Sequence, residues 1–133
     1  MEPKKENKPV IVIGAGVVLL AVLLGAFGAH ALEKELTPDQ LATFETGVRY
    51  QFYHGLALLF LGLYISINPA VRLLEVVILF CMGILLFSGS IYLIATRSIT
   101  GIGTGLLGPL TPIGGTLLIT GWTLLIWRIL SDR

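Results

Sequence analysis

Apolar residues run along this chain in four blocks that charge does not enter. Charged side chains stop after Lys8 and resume at Glu33. They lapse again between Arg49 and Arg72, between Glu75 and Arg97, and between Arg97 and Arg128. A hydrocarbon layer ~30 Å thick takes about 20 apolar helical residues to cross, and each block is long enough. The pattern predicts an all-α integral membrane protein: a four-helix bundle forming a single membrane domain over residues 1–133, with spans at about 9–32, 48–67, 71–96 and 112–130.

Polar and small residues inside this pattern refine it. Ala21, Gly25 and Ala29 recur at every fourth position of helix one, a small-xxx-small stripe on which a second helix can approach closely. Thr37-Pro38-Asp39-Gln40 reads as a helix start, with Thr37 as N-cap, Pro38 as the first helical residue and Gln40 completing a capping box. A short amphipathic segment over residues 39–48 is expected to lie at the membrane surface before helix two. Asn68-Pro69 makes the turn at the far end of that helix, because proline ends the helix before it. Ser88-Gly89-Ser90 forms a small polar patch suited to close packing in helix three. Residues 99–115 include Gly101, Gly103, Gly105, Gly108, Gly114, Gly115, Pro109 and Pro112. That mixture is a poor helix and too apolar for a solvated loop. Irregular backbone at membrane depth has to be buried in protein or face water, so a Gly/Pro-rich loop folded onto the mouth of the bundle is expected. Thr111-Pro112 then opens helix four, and Gly114 and Gly115 serve its packing.

Composition narrows the class. Hydrophobic residues make up 55% of the 133 and charged residues 13%, about half the charge of a soluble domain. The net charge of +1 argues against a nucleic-acid partner, which needs a basic face. The expected partners are membrane lipid and a second copy or a larger membrane complex; a small-molecule ligand is not legible. Cys81 is the one cysteine and falls in helix three, which excludes an intramolecular disulfide and a cysteine metal cluster and reads as a packing residue. Lys4, Lys5, Lys8, the apolar run and Ala29-His30-Ala31 imitate a secretory signal. The run of about 20 residues exceeds the usual 7–15 of such signals, so a retained first helix is expected. Lys4, Lys5, Lys8, Arg72, Arg128 and Arg133 fall at one end of the spans, against Lys34, Arg49 and Arg97 at the other. The positive-inside rule then puts both termini in the cytoplasm.

On that topology His30, Glu45, Arg49, Tyr50, Tyr53, His54 and Arg97 gather as a polar cluster at the outer end. Two readings compete. The histidines fasten the mouth by bonding loop carbonyls, or they carry a proton or a ligand, since ionisable groups within the membrane are costly and point to function. Glu45 and Arg49, at i and i+4, form an interfacial salt bridge or a substrate clamp. Two histidines and a glutamate without HxxxH or ExxH spacing give no metal site. Gly103-Thr104-Gly105-Leu106-Leu107-Gly108 matches G-x-G-x-x-G, but no strand precedes it and no acidic residue follows at about 20 positions. Ser88 and Ser90 lack a G-x-S-x-G elbow. No catalytic residue and no cofactor is therefore expected. Phe44, Tyr50, Phe52 and Tyr53 read as an interfacial aromatic belt, and Trp127 as an anchor.

Four ordered blocks carry a family resemblance. These are Gly25-Ala26-Phe27-Gly28-Ala29-His30-Ala31-Leu32, the run from Phe44-Glu45-Thr46-Gly47-Val48-Arg49 to Tyr50-Gln51-Phe52-Tyr53-His54-Gly55, Ser88-Gly89-Ser90-Ile91-Tyr92, and Leu110-Thr111-Pro112-Ile113-Gly114-Gly115. Over residues 10–130 the chain resembles the domain of unknown function 423 family, the YgdD-like small bacterial multi-pass membrane proteins. The resemblance implies a bacterial cytoplasmic-membrane protein and supplies no catalytic residue. The expected function is a structural or accessory component that packs with itself or a partner. The alternatives are a small transporter or channel subunit using the outer polar cluster and, with the weakest support, an intramembrane enzyme.

Overall fold

The computed structural model describes residues 8–131; the charges of Lys4, Lys5 and Arg133 that enter the orientation argument lie outside the described residues. Helix α1 covers Lys8–His30, and a 3-10 turn at Leu32–Lys34 leads to α2, Pro38–Ile67. Then come α3 (Leu74–Ala95), the single-turn α4 (Arg97–Thr100) and α5 (Leu107–Ser131). Helices α1, α2, α3 and α5 are each long and apolar enough to cross a membrane, and no strand occurs among the described residues. The protein is an all-α four-helix membrane protein.

The bundle consists of two antiparallel hairpins. Helix α1 packs on α2, α5 packs on α3, and the hairpins meet where α2 lies against α3. Leu58, Leu61, Val76, Val77, Phe80, Ile84 and Leu118 fill the space between α2, α3 and α5. A smaller cluster of Leu32, Leu36, Phe44 and Ala95 closes the end beneath the 3-10 turn. The two flanking helices bury little beyond one narrow line each. On α1 that line is Gly14, Ala21 and Gly28; on α5 it is Gly114, Leu118 and Gly121. Without a hydrophobic force to join helices in lipid, close backbone approach supplies the contact. A Cβ at Gly14 would stand 2.6 Å from the Leu59 nitrogen and 3.0 Å from the Gly55 carbonyl oxygen, and one at Gly114 would collide with the Phe87 backbone.

This seam differs from the expected stripe. Ala21 is buried and Gly25 half-buried, but Ala29 is exposed. At 3.6 residues per turn, a step of four residues drifts about 40° around the helix and a step of seven only about 20° the other way. The seven-residue line Gly14–Ala21–Gly28 therefore stays on a nearly parallel neighbour where the four-residue line leaves it.

Three boundaries also differ from expectation. The amphipathic segment at 39–48 is not a separate surface element but the first turns of a continuous α2. Its start is the expected one: Thr37 N–H donates to Gln40 Oε1 at 3.0 Å, Gln40 N–H donates to Thr37 Oγ1 at 3.3 Å, and Pro38 stands at the first position. Nothing after that cap interrupts the i→i−4 ladder, so the helix runs on into the bundle. Helix α3 begins at Leu74 rather than near residue 70, because Asn68-Pro69 is followed by a turn in which Val71 N–H donates to the Asn68 carbonyl.

The Gly/Pro-rich stretch is mostly helical. Gly101, at φ +68°, ends α4, and only residues 101–106 are non-helical before α5 begins at Leu107. Pro109 falls in the first turn of α5, where N–H groups have no helical partner to lose, leaving Pro112 as the one proline inside the helix. The short loop is exposed rather than folded onto the mouth, with Leu106 86% accessible.

Candidate functional site

The buried polar side chains of the bundle centre on α2. Gln51, 4% exposed, bridges three helices. Its Nε2 donates to the Val17 carbonyl of α1 at 3.0 Å, and its Oε1 accepts from the Tyr92 hydroxyl of α3 at 2.7 Å. His54, one turn further on, is buried against α3 and α5. Trp122 Nε1 donates to His54 Nε2 at 3.0 Å, and the imidazole meets Phe80 edge-on at 5.4 Å between ring centres. An indole N–H can only donate, so Nε2 is an acceptor and the ring is neutral. Its proton is then on Nδ1, which donates to the Tyr50 carbonyl at 2.8 Å. Ser88 Oγ donates to the Gly47 carbonyl at 2.8 Å, and Ser90 and Thr111 share a hydroxyl contact of 2.6 Å between α3 and α5. Such bonds inside a membrane contribute about 0.6 kcal/mol each. Their placement is the informative part: every neighbouring pair of spanning helices carries at least one.

The polar cluster expected at one end of the bundle is not assembled. His30 stands exposed at the last position of α1. Gly28 faces Phe44, whereas Gly14 faces Gly55, so His54 lies ten residues along α2 from the level of the α1 terminus. At a rise of 1.5 Å per residue that is ~15 Å into the span, which separates the two histidines. Arg97 is exposed at the start of α4. Tyr50 does associate with His54, its ring stacked at 6.2 Å between centres and packed on Phe87 at 4.8 Å. Tyr53 lies 6.3 Å from Tyr50 and is 54% exposed. Glu45 and Arg49 are exposed and do not pair with each other. Among the described residues the ion pair is Arg128–Glu75, at the opposite end, joining α5 to α3. An i,i+4 pair on a helix is worth only about 0.2–0.5 kcal/mol, too little to hold two long side chains together against other uses. Of the expected packing residues, Ser88, Ser90 and Gly114 are buried, and Gly115 touches Phe87. Gly89 borders open space instead, on the apolar 380 Å³ groove between α1 and α3.

The sequence pattern does not assign Gln51, Tyr92, Trp122 or Thr111 to the polar contacts between helices. A signal existed: each is a polar group within a charge-free block, where a lone donor or acceptor must find a partner in protein. Gly14 and Gly47 gave no comparable signal among sixteen glycines.

Chemically the interior is closed. The nitrogens of His54 meet an indole and a carbonyl, not a hydroxyl or thiol nucleophile. Among the described residues no three His, Cys, Asp or Glu side chains converge to hold a metal ion. A second groove, of about 590 Å³, runs between α1 and α2, with Ala21, Gly25, Val48 and Phe52 in its walls and Glu45 and Arg49 on its rim.

Comparison with known sequences agrees with this architecture. The family described as "Protein of unknown function (DUF423)" matches residues 24–115. The UPF0382 membrane protein SSP2132 of Staphylococcus saprophyticus is 42% identical over 119 residues, covering 90% of this chain and 94% of its own. SH2409 of Staphylococcus haemolyticus is 40% identical over 116 residues, 87% of this chain and 90% of its own. YwdK of Bacillus subtilis is 38% identical over 120 residues, with coverages of 90% and 94%. Both are likewise UPF0382 membrane proteins. No solved structure matches.

Proposed function

The chain belongs to the DUF423 family, whose function is unknown, and from that premise we propose that it is a non-enzymatic, structural or accessory component of the bacterial cytoplasmic membrane that associates with a second copy of itself through α5. One observation carries the reading. Gly108, Pro112, Thr116 and Thr120 recur at every fourth position of α5, and all four are exposed on the side away from α3. The hydroxyls of Thr116 and Thr120 bond carbonyls of their own helix, and Thr123 continues the polar line. A small, weakly polar line facing lipid along a whole span suits close helix–helix approach. The interior supports the same reading, since its polar groups are used in joining helices. Both termini are proposed to face the cytoplasm. In the sequence, Lys4, Lys5, Lys8, Arg72, Arg128 and Arg133 fall at that end against Lys34, Arg49 and Arg97 at the other; reporter fusions after residue 131 should register cytoplasm.

The association is tested by cysteine cross-linking in native membranes, on a Cys81→Ser background. Thr120→Cys should yield a disulfide-linked dimer, and Val12→Cys, exposed on α1, should not. Thr116→Leu combined with Thr120→Leu should then shift the native mass towards monomer. Equal cross-linking at both positions, or none at Thr120, would refute the α5 interface.

A further inference from the structure

The groove between α1 and α2 combines three properties. Its walls are apolar and partly made of small residues, Ala21, Gly25 and Ala26, which leave a trough beside Phe52. Its rim carries two opposite charges one helical turn apart, Glu45 and Arg49, that do not pair with each other. Its depth matches a membrane interface. Arg49 is the last charged residue before the uncharged block that runs to Arg72, which puts it at the edge of the apolar span.

We propose that this groove binds one zwitterionic aminophospholipid of the adjoining leaflet, its phosphate on Arg49, its amine on Glu45 and an acyl chain in the trough below. The order of charges selects the ligand. Along α2, Glu45 is the outer residue and Arg49 lies ~6 Å deeper. An aminophospholipid likewise carries its phosphate on the glycerol side and its ammonium further out. A guanidinium donates two parallel hydrogen bonds to phosphate oxygens, and a primary ammonium donates to the carboxylate. An anionic lipid without an amine would leave Glu45 facing like charge. The trough runs from the rim towards the bilayer centre, the direction an acyl chain takes. The proposal holds for either orientation of the protein, and it uses the flank away from α5, so it stands or falls separately from the self-association proposed above.

Native mass spectrometry of the full chain in detergent, with equimolar phosphatidylethanolamine and phosphatidylglycerol of matched acyl chains, tests it. The unmodified protein should retain phosphatidylethanolamine in preference by about two- to fivefold, the upper part of the range of an exposed charge interaction. Glu45→Gln should bring that ratio close to one, and Arg49→Gln should lower retention of both lipids. Ala26→Leu, at an exposed position of the trough wall, should lower retention of both without changing their ratio. Circular-dichroism melts of each variant confirm that the fold is intact. No preference in the unmodified protein, or an unchanged ratio in Glu45→Gln, would overturn the assignment.

Discussion

Replacing Gly14 with alanine tests whether backbone contact, rather than apolar side-chain area, holds α1 in place. The added Cβ would lie 2.6 Å from the Leu59 nitrogen and 3.0 Å from the Gly55 oxygen and the Leu58 carbonyl carbon. All three are backbone atoms of α2, so no side chain can swing aside. Restoring ordinary contact near 3.5 Å requires α1 and α2 to separate by roughly 0.9 Å, and a gap of that size forfeits a quarter to a half of each dispersion contact along the seam. Overpacking of this kind costs about 1–3 kcal/mol. Alanine regains about 1 kcal/mol over glycine through helix propensity, leaving a net loss of about 0–2 kcal/mol. Gly16→Ala supplies the control, because nothing lies within 4 Å of its Cβ; there the propensity gain stands alone and stability should hold or rise. The two variants should therefore differ by ~2 kcal/mol, roughly thirtyfold in the unfolding constant. Denaturant titration in detergent micelles, followed by circular dichroism, measures that difference. Equal stability of Gly14→Ala and Gly16→Ala would show that the seam does not hold α1.

Tyr92→Phe removes the hydroxyl that donates to Gln51 and leaves a buried amide oxygen without that partner. It should cost about 1–3 kcal/mol in the same titration, and restoration by Gln51→Leu in the double variant would identify the lost bond as the cause. Trp122→Phe strips His54 Nε2 of its donor and should cost a similar amount. His54→Gln, whose amide oxygen can still accept from the indole, should cost less than His54→Leu; the reverse order would mean the hydrogen bond is not what keeps an imidazole there. Arg128→Gln should lose no more than about 1 kcal/mol, and less in high salt, because the Arg128–Glu75 pair is partly exposed.

The number and class of helices were legible because lipid imposes one requirement on every span, a charge-free apolar run, and that requirement is written residue by residue. The Thr37–Gln40 cap was legible for a similar reason, since its partners lie three residues apart. What failed depended on partners distant in sequence. The line of contact on α1 is chosen by where α2 crosses it, so Gly14 serves the seam, while a Cβ added at Gly25, the centre of the expected stripe, would meet only Val48 Cγ1, at 3.4 Å. Proline positions misled at residues 99–115: Pro109 lies in the first turn of α5, where it removes no helical bond, and α5 continues through Pro112. The proposed gathering of His30 with His54 failed on axial distance: sharing one half of a long helix pair still leaves two residues many ångströms apart in depth.

The two-hairpin arrangement bears on how the chain is put together. Each hairpin carries its own glycine-lined seam, Gly14 against Gly55 and Gly114 against Phe87, and needs nothing from the other half to form it. The junction between halves is of a different kind, with Ser88 on the Gly47 carbonyl, Tyr92 on Gln51 and Trp122 on His54. Those donors have no use until both hairpins are in the bilayer. Each half can therefore close its glycine seam by itself, whereas the polar bonds from α2 to α3 and α5 are satisfied only when the two halves are docked in register.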